Sequence, residues 1–269
     1  MIIYSLWMIF FLCFNLRRMR ICRTCSSKPI AKKVYLAKMQ KFFEEKLPKT
    51  PKRYHQSTKS TYRIEMKDLK PNSYVFYFGT KCRDFRKPII SMDSAYSNLQ
   101  NSGVTKTDAK GRAIFYLRCP QIYRNENGKV YSRHFHFLYW NGKKGEWSRR
   151  VLTHQIFCDI HQSSVKKYMK SRNVILIDAL PKSYYEKKHI EGAINLPVDE
   201  RWNKNEVIRR IKKVKKNVHM LSPIILYCYS KDCDAAEKVY EKLNKMGFYN
   251  TLHYVDGISK WNGKIESKK

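Results

Sequence analysis

Three short apolar runs constrain this chain most: "VILIDA" from Val174, "PIILYC" from Pro223 and "TLHYV" from Thr251. Each is too short for an ordinary helix and reads as a buried strand. Between them "KSYYEKKH" reads as a helical turn, and "NEVIRRIKKVKKN" as an amphipathic helix with Val207, Ile208, Ile211 and Val214 on one face. "DAAEKVYEKLNKMG" reads as a second helix, closed by Gly247. Strands alternating with helices predict an α/β unit, a parallel sheet with helices on both faces.

That unit accounts for only part of 269 residues, a length that fits two domains. Ahead of it, "SYVFYFG", "RAIFYLRC" and "RHFHFLYW" are short β-type runs separated by turn residues, which predicts a β-rich, sandwich-like middle domain. The expected division is a hydrophobic segment with a basic cluster over 1–27, a basic helix and linker over 28–60, the β-rich domain over 61–162 and the α/β domain over 168–266. Within the second stretch a helix is expected near Val34 to Lys46, ended by the linker "PKTPKRYHQSTKS".

Residues 1–16 are mostly apolar and would span about 24 Å as a helix, short of the roughly 30 Å hydrocarbon core. They are read as a membrane tether, with Arg17, Arg18 and Arg20 favouring a cytoplasmic body; a buried helix, or a true start at Met19 or Met39, are the alternatives. Lys and Arg outnumber Asp and Glu by 55 to 22, a net charge of +33. Spread along the chain without a helix-turn-helix, zinc-finger or RNA-binding signature, that excess predicts loose attraction to anionic surfaces rather than specific nucleic-acid binding. The eight cysteines are too sparse for a disulfide framework, and an intracellular, reducing compartment is expected. Cys22 and Cys25 form a CxxC that lacks the second pair of a zinc site.

Cys228 follows the strand "PIILY" directly, at the edge where ligands of parallel sheets bind, and starts a loop feeding a helix. Loop amides and a helix N-terminus there would stabilise a sulfur anion and lower the thiol pKa. The surroundings of Cys228 resemble the rhodanese family of sulfurtransferases over residues 170–264. "VILIDA" looks like the opening strand with its Asp, here Asp178. "HIEGAINLP" matches the His, x, x, Gly-Ala, x, Asn, x, Pro signature through His189, Gly192 and Asn195, and "DGISKW" matches the closing Gly, x, x, x, Trp element through Gly257 and Trp261.

The resemblance implies that Cys228 attacks a sulfane donor, such as thiosulfate or a persulfide, holds the sulfur as a persulfide, and passes it to a thiol or cyanide. It implies no cofactor or metal. The substrate loop would be Tyr229, Ser230, Lys231 and Asp232. Family members usually carry Arg five positions after the nucleophile; here that position is Cys233, which could resolve the persulfide to an intraloop disulfide and so require a thiol acceptor or reductant. A rhodanese fold that only binds a partner is the alternative. Phosphate-ester hydrolysis, known in relatives of this fold, would need a longer loop and an anion-binding Arg.

In the middle domain "TDAKG" predicts a tight turn, with Asp108 supplying turn hydrogen bonds and Gly111 a positive φ. With Pro120 to Tyr123 and "RHFHF" it resembles transthyretin-like sandwiches, including intradiol dioxygenases. That resemblance implies an iron-binding β-sandwich with Tyr123, His134, His136 and an upstream Tyr, Tyr96, as ligands. Alternation puts both histidines on one strand face. Packing or hydrogen bonding is the plainer role for them. His154, Cys158 and His161 could ligate a metal by residue type, though their spacing fits no recognised site.

Overall fold

The computed structural model describes residues 20–21, 45–55, 62–96 and 99–267. The 1–16 segment, Cys22, Cys25 and most of the helix expected near Val34 to Lys46 lie outside them. Among the described residues no helix is long and apolar enough to cross a membrane.

Strands β1 (Tyr62–Met66), β2 (Tyr74–Gly79), β3 (Ser102–Lys106), β4 (Ala113–Leu117), β5 (His134–Asn141) and β6 (Leu152–Gln155), with the short helix α1 (Met92–Tyr96), form the middle of the chain. An antiparallel sheet runs β6–β5–β2–β3, with Phe137 opposite Tyr77 and Leu138 opposite Phe76, while β1 pairs separately with β4. Side chains alternate between strand faces. Phe76, Phe78 and Leu138 therefore enter one core with Tyr96, Tyr123 and Trp147. Val75, Tyr77, Phe135 and Phe137 enter another with Met66, Phe115 and Leu117 from the β1–β4 pair. Burial on both faces explains why these strands read as continuous aromatic runs rather than as alternating ones.

The turn between β3 and β4 is the one expected. The Asp108 carboxylate accepts from the N–H groups of Lys110 and Arg112, and Gly111 has φ +69°. A Cβ on Gly111 would lie 2.3 Å from the Leu69 carbonyl oxygen, so no other residue fits without displacing that backbone.

The C-terminal part consists of β7 (Asp159–Ile160), α2 (Gln162–Met169), β8 (Ile175–Asp178), α3 (Lys182–Lys187), β9 (Ile194–Asn195), α4 (Lys204–Val214), β10 (Ile224–Tyr227), α5 (Ala235–Met246) and β11 (Thr251–Tyr254). The sheet is parallel, in the order β7–β11–β10–β8–β9. All residues of β8, β10 and β11 are buried, as expected of a parallel sheet covered by helices.

Helix α4 starts at Asn203, whose side chain accepts from the Glu206 N–H, and buries Val207 and Ile211. Val214 is 51% exposed, so the buried stripe stops short of the face predicted from periodicity. Helix α5 ends as expected, on Gly247 in the left-handed region at φ +99°.

Strand β7 pairs with β11, so the C-terminal sheet draws on residues assigned from sequence to the β-rich domain, and α2 begins ahead of the expected start at 168. Two residues are too few to carry a periodic signal, which is why this strand was missed.

The junction between the two parts is dense. Phe157 stacks on Tyr240 at 4.0 Å, Phe85 meets Tyr168 edge-on at 4.6 Å, and the Asn250 amide donates to the Phe85 carbonyl at 2.8 Å. Cys119, just after β4, is disulfide-bonded to Cys158, just before β7. This pairing was not foreseen. Reduced thiols were the expectation, and 39 residues of sequence hide the proximity that the fold creates.

Candidate functional site

Strand β10 is wholly buried and delivers Cys228 to its carboxyl end. The loop that follows closes on itself through Cys233 N–H to Ser230 O at 3.1 Å before α5 begins. It is also clamped from below. Ile258 N–H donates to the Cys228 carbonyl at 3.0 Å, and Ser259 N–H to the Tyr229 carbonyl at 2.9 Å. Gly257 makes this approach possible: at φ +65°, a Cβ on it would lie 2.4 Å from Tyr229 O and 2.6 Å from Cys228 O. Trp261 packs edge-on against Tyr254 at 5.8 Å and fixes the far end of the clamp.

Cys228 is 1% exposed and sits in the hydrophobic core of the domain. Its Sγ donates to the Cys233 carbonyl at 3.1 Å and lies 3.6 Å from the Ser230 carbonyl. Burial, followed by the neighbouring Cys233 thiol, pushes the Cys228 pKa up to about 12, while the N–H groups of Ala236 and Ser230 pull the other way. The lowered pKa expected from the strand-end position is therefore corrected: the resting site holds a neutral thiol. The physical reason is that desolvation outweighs the amide donors, and the cation of the usual Arg position is replaced here by Cys233. Tyr229, Lys231 and Asp232 are exposed on the loop, with Ser230 half-buried.

The remaining motif residues build the wall beside β10. The Asp178 carboxylate accepts from Leu180 N–H at 2.8 Å, and the Asn195 amide donates to the carbonyls of Asp178 and Leu180 at 3.2 and 2.9 Å. Burial pushes the Asp178 pKa up to about 6; the Leu180 N–H, the Tyr227 hydroxyl and His189 offset this only in part. His189 stacks on Tyr185 at 3.8 Å, shares a 2.7 Å hydrogen bond between its Nδ1 and the Tyr185 carbonyl, and places Nε2 3.3 Å from a Glu266 carboxylate oxygen. Gly192, at φ +72°, donates its N–H to the same carboxylate. These residues tie neighbouring backbone segments together, whereas the Cys228 sulfur is met by the Ser230 and Cys233 carbonyls. Tyr227 was missed from sequence. Its hydroxyl accepts from Ile190 N–H at 3.0 Å, and a Tyr in the last position of an otherwise aliphatic strand was the available signal.

In the middle domain the structure brings Tyr96, Tyr123, His134 and His136 together. The phenol oxygens of Tyr96 and Tyr123 lie 3.4 and 3.3 Å from His134 Nε2, and the two imidazoles are 4.8 Å apart on one face of β5. His134 Nδ1 is 2.6 Å from the Ser132 carbonyl, and His136 Nδ1 is 2.8 Å from the Thr153 hydroxyl. Burial, then the neighbouring His134, holds the His136 pKa well below the ordinary range. His134 is thus held by Tyr96, Tyr123 and the Ser132 carbonyl, and His136 separately by Thr153. His154, Cys158 and His161 do not converge: His154 packs on Phe135, Cys158 is in the disulfide, and His161 pairs with Asp256. Among the described residues no group of three or more His, Cys, Asp or Glu could hold a metal ion.

Residues 161–264 match the family model described as Rhodanese-like domain. The adenylyltransferase and sulfurtransferase UBA4 of Meyerozyma guilliermondii is 32% identical over 106 residues, which is 38% of this chain and 24% of the relative. The chain thus spans about a quarter of that relative's length. The uncharacterized protein YqhL of Bacillus subtilis is 29% identical over 98 residues, covering 36% of this chain and 68% of that protein. Among solved structures, a rhodanese-related protein from Thermoplasma volcanium aligns at 17% identity and a TM-score of 0.32, covering 41% of this chain and 98% of that one.

Proposed function

We propose, on the premise that residues 161–264 are a rhodanese-like domain, that this domain moves sulfane sulfur through Cys228. The observation that carries the reading is the position of Cys228. It sits at the carboxyl end of a central parallel strand, with the N–H groups of Ser230 and Ala236 acting on its sulfur and a second thiol, Cys233, in the same loop. Similarity to a sulfurtransferase supports the same chemistry.

In the first step the Cys228 thiolate attacks the outer sulfur of thiosulfate, the S–S bond of the donor breaks, and sulfite leaves with the electron pair. The product is a persulfide on Cys228. In the second step a thiolate acceptor or cyanide attacks the terminal sulfur and Cys228 leaves as thiolate. Alternatively the Cys233 thiolate attacks the Cys228 sulfur, hydrosulfide leaves, and the loop closes as a disulfide that an external thiol must reduce. The first step requires the resting thiol to lose to solvent the proton it shares with the Cys233 carbonyl. The N–H of Ser230 in the loop and that of Ala236 in the first turn of α5 act on the thiolate and on the persulfide anion that follows.

Thiocyanate production from thiosulfate and cyanide tests the reading. Wild type is expected to turn over slowly and faster as pH rises; C228S should be inactive, and C233S should retain turnover with cyanide. Equal turnover by C228S and wild type would contradict the assignment.

A further inference from the structure

Arg133 is the largest of the fully buried side chains, and it has no carboxylate partner among the described residues. Its Nη1 donates to the Pro120 carbonyl at 2.7 Å and lies 3.6 Å from Cys119 Sγ; its Nη2 donates to Asn250 Oδ1 at 2.7 Å, and Nε has no hydrogen-bond partner. The ionisable groups that act on this guanidinium are Tyr240, Cys82, Tyr62 and Tyr168. All are uncharged at neutral pH, since burial raises each of them. Burial lowers the Arg133 pKa only to about 10, so the group remains a cation. A buried cation without an anion is a costly arrangement, and removing one partner from a buried ion pair produces it. Of the groups around it, the Cys119 sulfur is the one in direct contact with Nη1, and it becomes able to carry that negative charge once the Cys119–Cys158 bond opens.

We propose that Cys119 and Cys158 form a redox-active dithiol–disulfide couple, reduced by a low-molecular-weight thiol, with Arg133 holding Cys119 as the thiolate in the reduced state. Cys119 is half-buried whereas Cys158 is fully buried, so an incoming thiolate reaches Cys119 first. Its attack on Cys119 Sγ forms a mixed disulfide and breaks the bond to Cys158, which leaves as thiolate and takes a proton to become a buried thiol. A second thiolate attacks the small-molecule sulfur, the low-molecular-weight disulfide departs, and Cys119 remains as thiolate against Nη1. Two thiols are oxidised and one protein disulfide is reduced. Because the ion pair exists only in the reduced state, it stabilises that state and makes the bond easier to reduce. The bond joins the β-rich part to the rhodanese-like domain, so its state governs a covalent tie between them.

The test equilibrates the full chain in reduced and oxidised glutathione, then traps thiols by alkylation and identifies the peptides by mass. Arg133→Met should be harder to reduce than wild type by threefold or more in equilibrium constant; a smaller shift overturns the proposal. If that variant does not fold, the alkylation rate of Cys119 against pH in the reduced Cys82→Ser protein decides. An inflection below the ordinary thiol value of about 8.5 supports the thiolate, and one at or above it overturns the proposal. Neither measurement depends on sulfur transfer at Cys228.

Discussion

Cys228 and Asp178 show how burial on either side of the β8–β10 pair sets the chemistry of single groups. With its pKa pushed up to about 12, the Cys228 thiol should be alkylated at a rate that keeps climbing past pH 10, without the plateau an ordinary cysteine shows near pH 9. A plateau at or below pH 9 in a mass-resolved alkylation series would contradict the neutral resting state.

Asp178 is an acid whose folded pKa, about 6, lies above its unfolded value near 3.8. The native state therefore binds the extra proton between those values, and stability should fall as pH rises from about 4 to about 6. D178N keeps an oxygen for the Leu180 N–H and removes the titration. In urea unfolding the advantage of the variant over wild type should grow across that window, reaching up to about 3 kcal/mol at pH 7.

At the scale of elements, the clamp from Gly257 to Trp261 is what fixes the loop after Cys228. G257A forces a Cβ against the backbone of residues 228 and 229 and places a side chain at φ +65°. A loss of about 1–3 kcal/mol in stability is expected, together with slower sulfur uptake, read by denaturant unfolding and by a thiosulfate assay on the same sample. Strands β8, β10 and β11 were legible in the sequence because each is an unbroken apolar run between helical patterns. The turn at Asp108 to Gly111 and the stop at Gly247 were legible because backbone geometry there demands those residue types. Strand β7 was not, having too few residues to show a period.

The site was half legible. Position along the chain located Cys228 and the motif around it, but the direction of its pKa shift depends on how deeply the sulfur is buried, a property of packing that spacing does not encode. Tyr227 and the Cys119–Cys158 pairing were missed for the same reason, since both are made by contacts between segments distant in sequence.

On the scale of the whole molecule, the β-rich part and the rhodanese-like domain are joined through the disulfide, the Phe157–Tyr240 stack and the Arg133–Asn250 hydrogen bond. They share a core, with Cys158 and Phe85 packed among the C-terminal strands. The loop from Tyr229 to Cys233 projects from this body as a short, exposed segment over a buried sulfur. The proposed sulfur transfer requires bringing a donor to a thiol that the fold keeps protonated and covered. The direct measurement is intact-mass analysis after incubation with thiosulfate at alkaline pH, followed by treatment with a reductant. Wild type should gain one sulfur atom that maps to Cys228 and is lost on reduction, and C228S should gain none; an unchanged wild-type mass, or the same gain in C228S, would contradict the account.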